Sequence, residues 1–218
     1  MARTERGLDR VVFFTDAIAA IAITLLILPV VEAVSEVSSE SASPVAIFSE
    51  HAGQLISFVI SFAVIARLWY AHHQLFEHVE AYSPRLILLG VAWAFTIVLL
   101  PLPTAITAEF SPSPLTVGFY IGTMLLSSAL LTSMTLLVRR SPQIQAADNP
   151  VTNRRLVGSA ATTIAFAVAL VLGALVPVIN YWALLLLAVT PIFERPLIRS
   201  LDRRSGTTSA SRVPSTKA

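Results

Sequence analysis

The chain alternates long apolar runs with short polar breaks. About 20 apolar residues in a helix, at ~1.5 Å each, cross the ~30 Å hydrocarbon core of a bilayer. The runs predict helices at about 8–31, 54–77, 85–107, 115–138, 154–176 and 179–197. The breaks carry turn chemistry: Ser and Glu with Pro44 between 32 and 53, Ser83-Pro84, Pro112 and Pro114, a polar loop at 141–153, and Pro177. Proline is tolerated in the first turn of a helix but not inside it. The expected fold is therefore an all-α membrane protein, with a six-helix domain over 1–202 and a Ser/Thr/Arg-rich, disordered cytoplasmic tail over 203–218.

The first run, Arg10 to Leu28, organises the rest. It is apolar except at Arg10, Thr15-Asp16 and Thr24. At 100° per residue, Ile21, Thr24, Leu25 and Leu28 fall at i, i+3, i+4 and i+7 and share one stripe, which Phe14 and Ala17 extend. The stripe alone reads as ordinary helix packing. Asp16 lies about 140° from Ile21 and so points at a different neighbour. A carboxylate inside a membrane helix costs ~3 kcal/mol on insertion scales, so Asp16 requires a partner.

Composition agrees with a bilayer. Hydrophobic residues make up 55% and charged residues 13% of the 218 positions, and mean hydropathy is +0.75. The absence of cysteine excludes disulfides and thiolate metal sites. The basic residues do not point to nucleic acid. With six spans, Arg3, Arg6, Arg10, Arg85, Arg139, Arg140, Arg154, Arg155 and every Arg and Lys from 195 onward fall on one side. The loops on the other side hold none. The positive-inside rule then puts both termini in the cytoplasm of a multi-pass plasma-membrane protein. Val31-Glu32-Ala33 loosely fits a cleavage site, but the length of the apolar run and Asp16 argue against a signal peptide.

Arg67 is the basic residue left inside a helix. With Trp69, His72 and His73 it occupies the inner half of the second helix, at a depth similar to Asp16. Arg67, Trp69 and His73 are all candidate partners for that carboxylate. An unperturbed imidazole titrates near neutral pH, but as adjacent residues His72 and His73 face different sides of a helix and chelate poorly. Thr116 to Tyr120 (Thr-Val-Gly-Phe-Tyr) is similar to a potassium-channel filter. It lacks the final glycine, and it reads better as the start of a continuous helix. No nucleophilic cysteine, His-x-x-x-His pair, Gly-rich phosphate loop or paired carboxylates in a common apolar segment are present. No enzymatic activity, cofactor or bound metal is expected. No internal repeat is visible, which disfavours a secondary transporter.

Arg10-x-x-x-Phe14-Thr15-Asp16, followed by Ala22-Ile-Thr-Leu-Leu, resembles the Arg-x-x-x-Phe-Ser-Asp signature of the transmembrane protein 175 family of potassium channels. Trp69-x-x-His72-His73 is similar to that family's second-helix motif, and Leu99-Leu-Pro-Leu-Pro-Thr104 to the end of its third helix. Thr15 replaces the usual serine, Ala19 stands where an aromatic is common, and Pro29 where a straight helix often continues. The resemblance implies the prokaryotic six-helix form, in which four subunits surround one pore lined by helix one. It implies that Ile21, Leu25 and Leu28 form rings around the axis with Thr24 at their edge, while Arg10 and Asp16 hold helix one against its neighbours. The expected function is a homotetrameric, potassium-selective channel that passes K+, and other monovalent cations less readily. The alternative is a proton-coupled transporter using Asp16 with His72 or His73.

Overall fold

Proline and serine set the helix boundaries. A computed structural model describes residues 5–39, 48 and 51–175. The helices are α1 (Glu5–Leu25), α2 (Leu28–Ser39), α3 (Ala52–Phe76), α4 (Pro84–Leu99), α5 (Pro101–Glu109), α6 (Pro114–Arg139) and α7 (Asn153–Leu175). Ser83 caps α4 by accepting from the Leu86 amide at 3.2 Å, with Pro84 in the first turn. Ser113 and Thr116 form a reciprocal capping box at the start of α6, again followed by proline. The filter-like stretch 116–120 is therefore regular helix, with Val117 and Tyr120 buried.

Two spans are interrupted where proline removes a donor. Pro29 cannot serve the Leu25 carbonyl, and the chain turns at Leu26–Ile27, with the Ile27 amide reaching Thr24 O at 3.4 Å. Pro101 cannot serve Ile97 O, which accepts instead from the Leu100 amide at 3.3 Å. Helix then resumes in both cases. The loop expected from residue 32 onward begins later, because α2 continues to Ser39. Val30, Ala33, Val34 and Val37 keep the helical spacing of apolar residues through that Glu/Ser-rich stretch, and Ala33 is buried.

Gly7–Ser35, Ala52–Phe76, Pro84–Glu109, Pro114–Arg139 and Asn153–Ala174 are long and apolar enough to cross a membrane. They match the first five expected spans. The expected sixth helix (179–197) and tail (203–218) lie outside the described residues.

Successive spans run antiparallel. At the arginine-rich end, Gly7 meets the Tyr82 ring so closely that an added Cβ would lie 2.6 Å from it, and the ring would have to shift to admit one. The loop after α6 clasps the turn after α3: Glu80 N donates to Ile144 O and Ala146 N to His78 O, each at 3.0 Å. At the opposite end Gln54 donates to Glu109 at 3.3 Å. The polar stretch 141–153 is thus ordered by backbone pairing, with Ile144 buried beneath it.

Hydroxyl groups join the helices where apolar contact alone gives no direction. Thr132 lies 2.8 Å from both Ser159 and Thr163, and Ser128 lies 2.9 Å from Thr163, tying α6 to α7. Ser61 bridges Tyr120 (2.6 Å) and Thr104 (2.9 Å), tying α3, α5 and α6. Helices in lipid gain little from apolar burial, so such bonds contribute disproportionately to specificity. Thr104→Val keeps the shape and removes the hydroxyl. It is expected to cost about 1 kcal/mol, read as a lowered Tm in detergent. An unchanged Tm would mean that the bridge contributes nothing.

Candidate functional site

α1 has two unlike faces. Thr15, Ala19, Ala22 and Leu26 are buried against the rest of the subunit. These are small or slender residues, which lets α3 and α4 approach closely. Thr15 satisfies its hydroxyl within its own helix, donating to Val12 O (2.9 Å) or Val11 O (3.2 Å). The opposite face carries Phe14, Ala17, Ile21, Thr24, Leu25 and Leu28, all exposed. Ile21 is 59%, Leu25 41% and Leu28 50% exposed, so the described residues leave them largely uncovered. The four stripe residues therefore lie together on one uncovered face. They straddle the turn at Leu26–Ile27: Leu28 opens α2 while the other three belong to α1.

Thr24 donates to Ile21 O at 2.7 Å. That bond uses the hydroxyl proton and leaves oxygen lone pairs for a cation, which is the half of a hydroxyl that a cation can use.

Asp16 lies between the two faces, partly buried, and its partner is Trp69. The indole Nε1–H donates to Asp16 Oδ1 at 2.8 Å. Trp69 stacks on His73 (centroids 5.7 Å, 25° between planes), and His73 Nε2 lies 3.7 Å from Glu77 Oε1. Trp69, His73 and Glu77 stand at i, i+4 and i+8, one stripe of α3. The candidate pairing of Asp16 with Arg67 is not formed. Arg67 is exposed on another face of α3 and reaches Thr162 Oγ1 of α7 at 3.4 Å. Two residues apart in sequence means ~200° apart on a helix, so Trp69 and Arg67 cannot both face α1. Arg10 is exposed and forms no hydrogen bond or ion pair among the described residues. Within the subunit, the described tie between α1 and α3 at this level is the Trp69–Asp16 bond.

His72 and His73 do face different sides. His73 is partly exposed, whereas His72 is fully buried between α3 and α4. The imidazole of His72 stacks on Trp93 at 4.0 Å (12°) and tilts against Phe76 at 4.6 Å. Both its ring nitrogens, and the Trp93 indole N–H, have no hydrogen-bond partner among the described residues. Contact with the ring faces holds His72 in place. Trp93 has no place among the sequence-level candidates. Its signal was the run Leu86, Gly90, Trp93, Ile97, one helical face and wholly buried.

Among the described residues no group of three or more His, Asp or Glu side chains is arranged to hold a metal. The arrangement offers an uncovered apolar stripe with one hydroxyl, carried on a helix anchored from behind by a carboxylate–indole bond.

Residues 10–101 match the family described as endosomal/lysosomal potassium channel TMEM175. The chain is 34% identical over 104 residues to a Streptomyces collinus protein named as a potassium channel, covering 46% of this chain and 48% of that protein. It is 34% identical over 116 residues to a mouse protein named endosomal/lysosomal proton channel TMEM175, covering 52% of this chain and 23% of the relative. A human protein of the same name is 30% identical over 107 residues, covering 49% of this chain and 21% of the relative. The chain thus matches about half the length of the bacterial relative and under a quarter of the mammalian ones.

Proposed function

The stretch from Arg10 to Pro101 belongs to the TMEM175 family, and from that premise we propose that the protein is a potassium-selective channel. Four copies surround a pore lined by the Ile21–Leu28 stripe. The observation that carries this reading is the division of α1: each expected pore residue lies on the uncovered face, and Thr15, Ala19 and Ala22 lie on the packed one. Closed cyclic assembly places that face on the axis. Ile21, Leu25 and Leu28 then form apolar rings, and a narrow apolar ring gates by dewetting. A cation crossing it sheds water, which costs less for potassium than for sodium. Thr24 oxygens replace part of that shell. Both termini face the cytoplasm, and the prokaryotic plasma membrane is the site of action.

The proton-channel names of the mammalian relatives keep a second permeant ion in view. Here, however, the indole of Trp69 occupies Asp16, and an indole N–H does not titrate near neutral pH. The Trp69–His73 contact is a ring stack and not a hydrogen bond. Among the described residues no hydrogen-bonded relay links Asp16 to either histidine.

The test is the reversal potential of the purified protein in planar bilayers, with potassium on one side, sodium on the other and equal pH. Unitary currents reversing toward the potassium potential are expected. Imposing a pH gradient should leave that potential unmoved. A reversal that tracked pH would make protons the permeant ion. Slow saturable uptake without unitary currents would favour a transporter.

A further inference from the structure

A cavity of about 430 Å³ opens at the arginine-rich end, between α3, α6 and α7. This is within the ~300–1,000 Å³ range of small-ligand sites. None of the α1 stripe residues lines it, nor does Asp16 or Trp69, and it does not depend on ion conduction. Three arginines are among the residues that line it: Arg67, Arg154 and Arg155. Ser128, Ser159, Thr162, Gln74 and His78 are among the other polar residues of its wall. No carboxylate lines it. Glu77, at the same end, is engaged with His73 at 3.7 Å.

The placement of these charges is unfavourable without an anion. Arg154 and Arg155 occupy the first turn of α7, which has no acidic residue. The macrodipole there favours negative charge and disfavours cations. Arg67 stands inside the second membrane span, where a cation needs a partner. The three like charges also repel across the shared space. The protein fixes the arginines in position nonetheless. Arg155 donates from Nη1 to Gln74 Oε1 (3.3 Å) and from Nη2 to Ala71 O (3.2 Å). Arg67 donates to Thr162 Oγ1 (3.4 Å). These hydrogen-bond partners are neutral, although the Glu77 carboxylate also attracts Arg155. The residues from Arg155 to Thr162 span ~10 Å along the helix, so the cavity runs from the membrane face toward the acyl region.

We propose that this cavity binds an anionic phosphate group, with Arg67, Arg154 and Arg155 as its ligands, and that the bound phosphate holds α7 against α3. Arginine forks match phosphate oxygens bidentately, and basic pockets between membrane helices at the cytoplasmic face suit lipid headgroups. The chemistry is common to an anionic phospholipid and to free phosphate.

Thermal unfolding of the full chain in neutral detergent tests this. Phosphatidylglycerol is titrated in, with phosphatidylcholine (whose phosphate carries its own compensating ammonium) and inorganic phosphate as parallel arms. Phosphatidylglycerol is expected to raise Tm saturably and phosphatidylcholine is not. The R154Q/R155Q variant should raise the half-saturating concentration roughly tenfold, the equivalent of ~1.4 kcal/mol. R85Q/R140Q, which removes two exposed charges from the same end outside the cavity, should leave it unchanged. If inorganic phosphate alone reproduces the shift, the site stands and its source is the free ion. No shift in any arm overturns the proposal, and so does an equal loss in R85Q/R140Q. If R154Q/R155Q fails to fold, R154Q alone serves, because Arg154 is exposed and makes no hydrogen bond within the described protein.

Discussion

Leu25→Ala should lower the potassium-to-sodium permeability ratio by roughly tenfold, toward a non-selective pore, and raise unitary conductance. The tenfold figure corresponds to ~1.4 kcal/mol of differential dehydration, a small part of what a constriction demands of a cation. Leu25 is 41% exposed, and its side chain faces away from the subunit core. Truncating it opens no internal cavity, so the cost of a buried Leu→Ala change (2–5 kcal/mol) does not apply. With the proposed pore, the expected effect is on permeation and not on folding. In a four-fold assembly the truncation is repeated in every subunit, and a widened ring stays wet.

Exposure alone does not distinguish a pore face from a lipid face. Leu88 of α4 is 69% exposed and Phe95 65%, as expected of residues that meet acyl chains. Leu88→Ala is thus the matched control: the same chemistry on a face away from α1. Bi-ionic reversal potentials on the two variants decide the matter. A fall in selectivity for Leu25→Ala alone supports the ring. Equal ratios in both variants would move the constriction elsewhere, with Ile21 and Leu28 the next positions to truncate.

The helices were legible because their lengths are set by the bilayer and their ends by Ser-Pro and Pro pairs, as at Ser83-Pro84 and Ser113-Pro114. The stripe was legible for the same kind of reason: a 100° step fixes Ile21, Thr24 and Leu25 on one side of α1, while Leu28, beyond the turn, is exposed as well. What a residue on a face touches was less legible. Arg67 is the natural partner of Asp16 by charge, yet the rotation of α3 gives that place to Trp69, and rotation is decided by packing on three neighbours at once. The burial of His72 against Trp93 needed the α3–α4 contact, which no local pattern specifies. The persistence of helix through Glu32 was hidden by polarity, because a helix that leaves the bilayer keeps its period but not its composition. The cavity arginines were visible only as topological charge. Their convergence depends on how α7 sits against α3 and α6.

Trp69→Phe should destabilise the subunit by about 2 kcal/mol and deplete assembled oligomer while leaving the unitary conductance of surviving channels unchanged. A hydrogen bond to a charged group contributes ~1.5–3 kcal/mol, and its loss leaves a partly buried carboxylate without a donor. Phenylalanine retains most of the apolar surface and the capacity to stack on His73, so the change isolates the N–H. Asp16→Asn should cost less, about 1 kcal/mol, because the amide oxygen still accepts from Trp69 as a neutral group. Asp16→Ala should approach Trp69→Phe. In the double variant the two losses should not add, since each removes the same bond. A coupling energy of about 1–2 kcal/mol from the full cycle is the expected signature. Thermal unfolding measures stability, size-exclusion chromatography the oligomer, and bilayer recording the conductance. Asp16 stands about 140° from Ile21 around α1 and is held from behind by α3, so it has no route to a permeating ion within one subunit. A stable oligomer with altered conductance in Asp16→Asn would contradict that geometry and assign the carboxylate to the ion path. Lowered stability with conductance preserved would make the carboxylate–indole bond the tie that keeps the pore face of α1 turned outward.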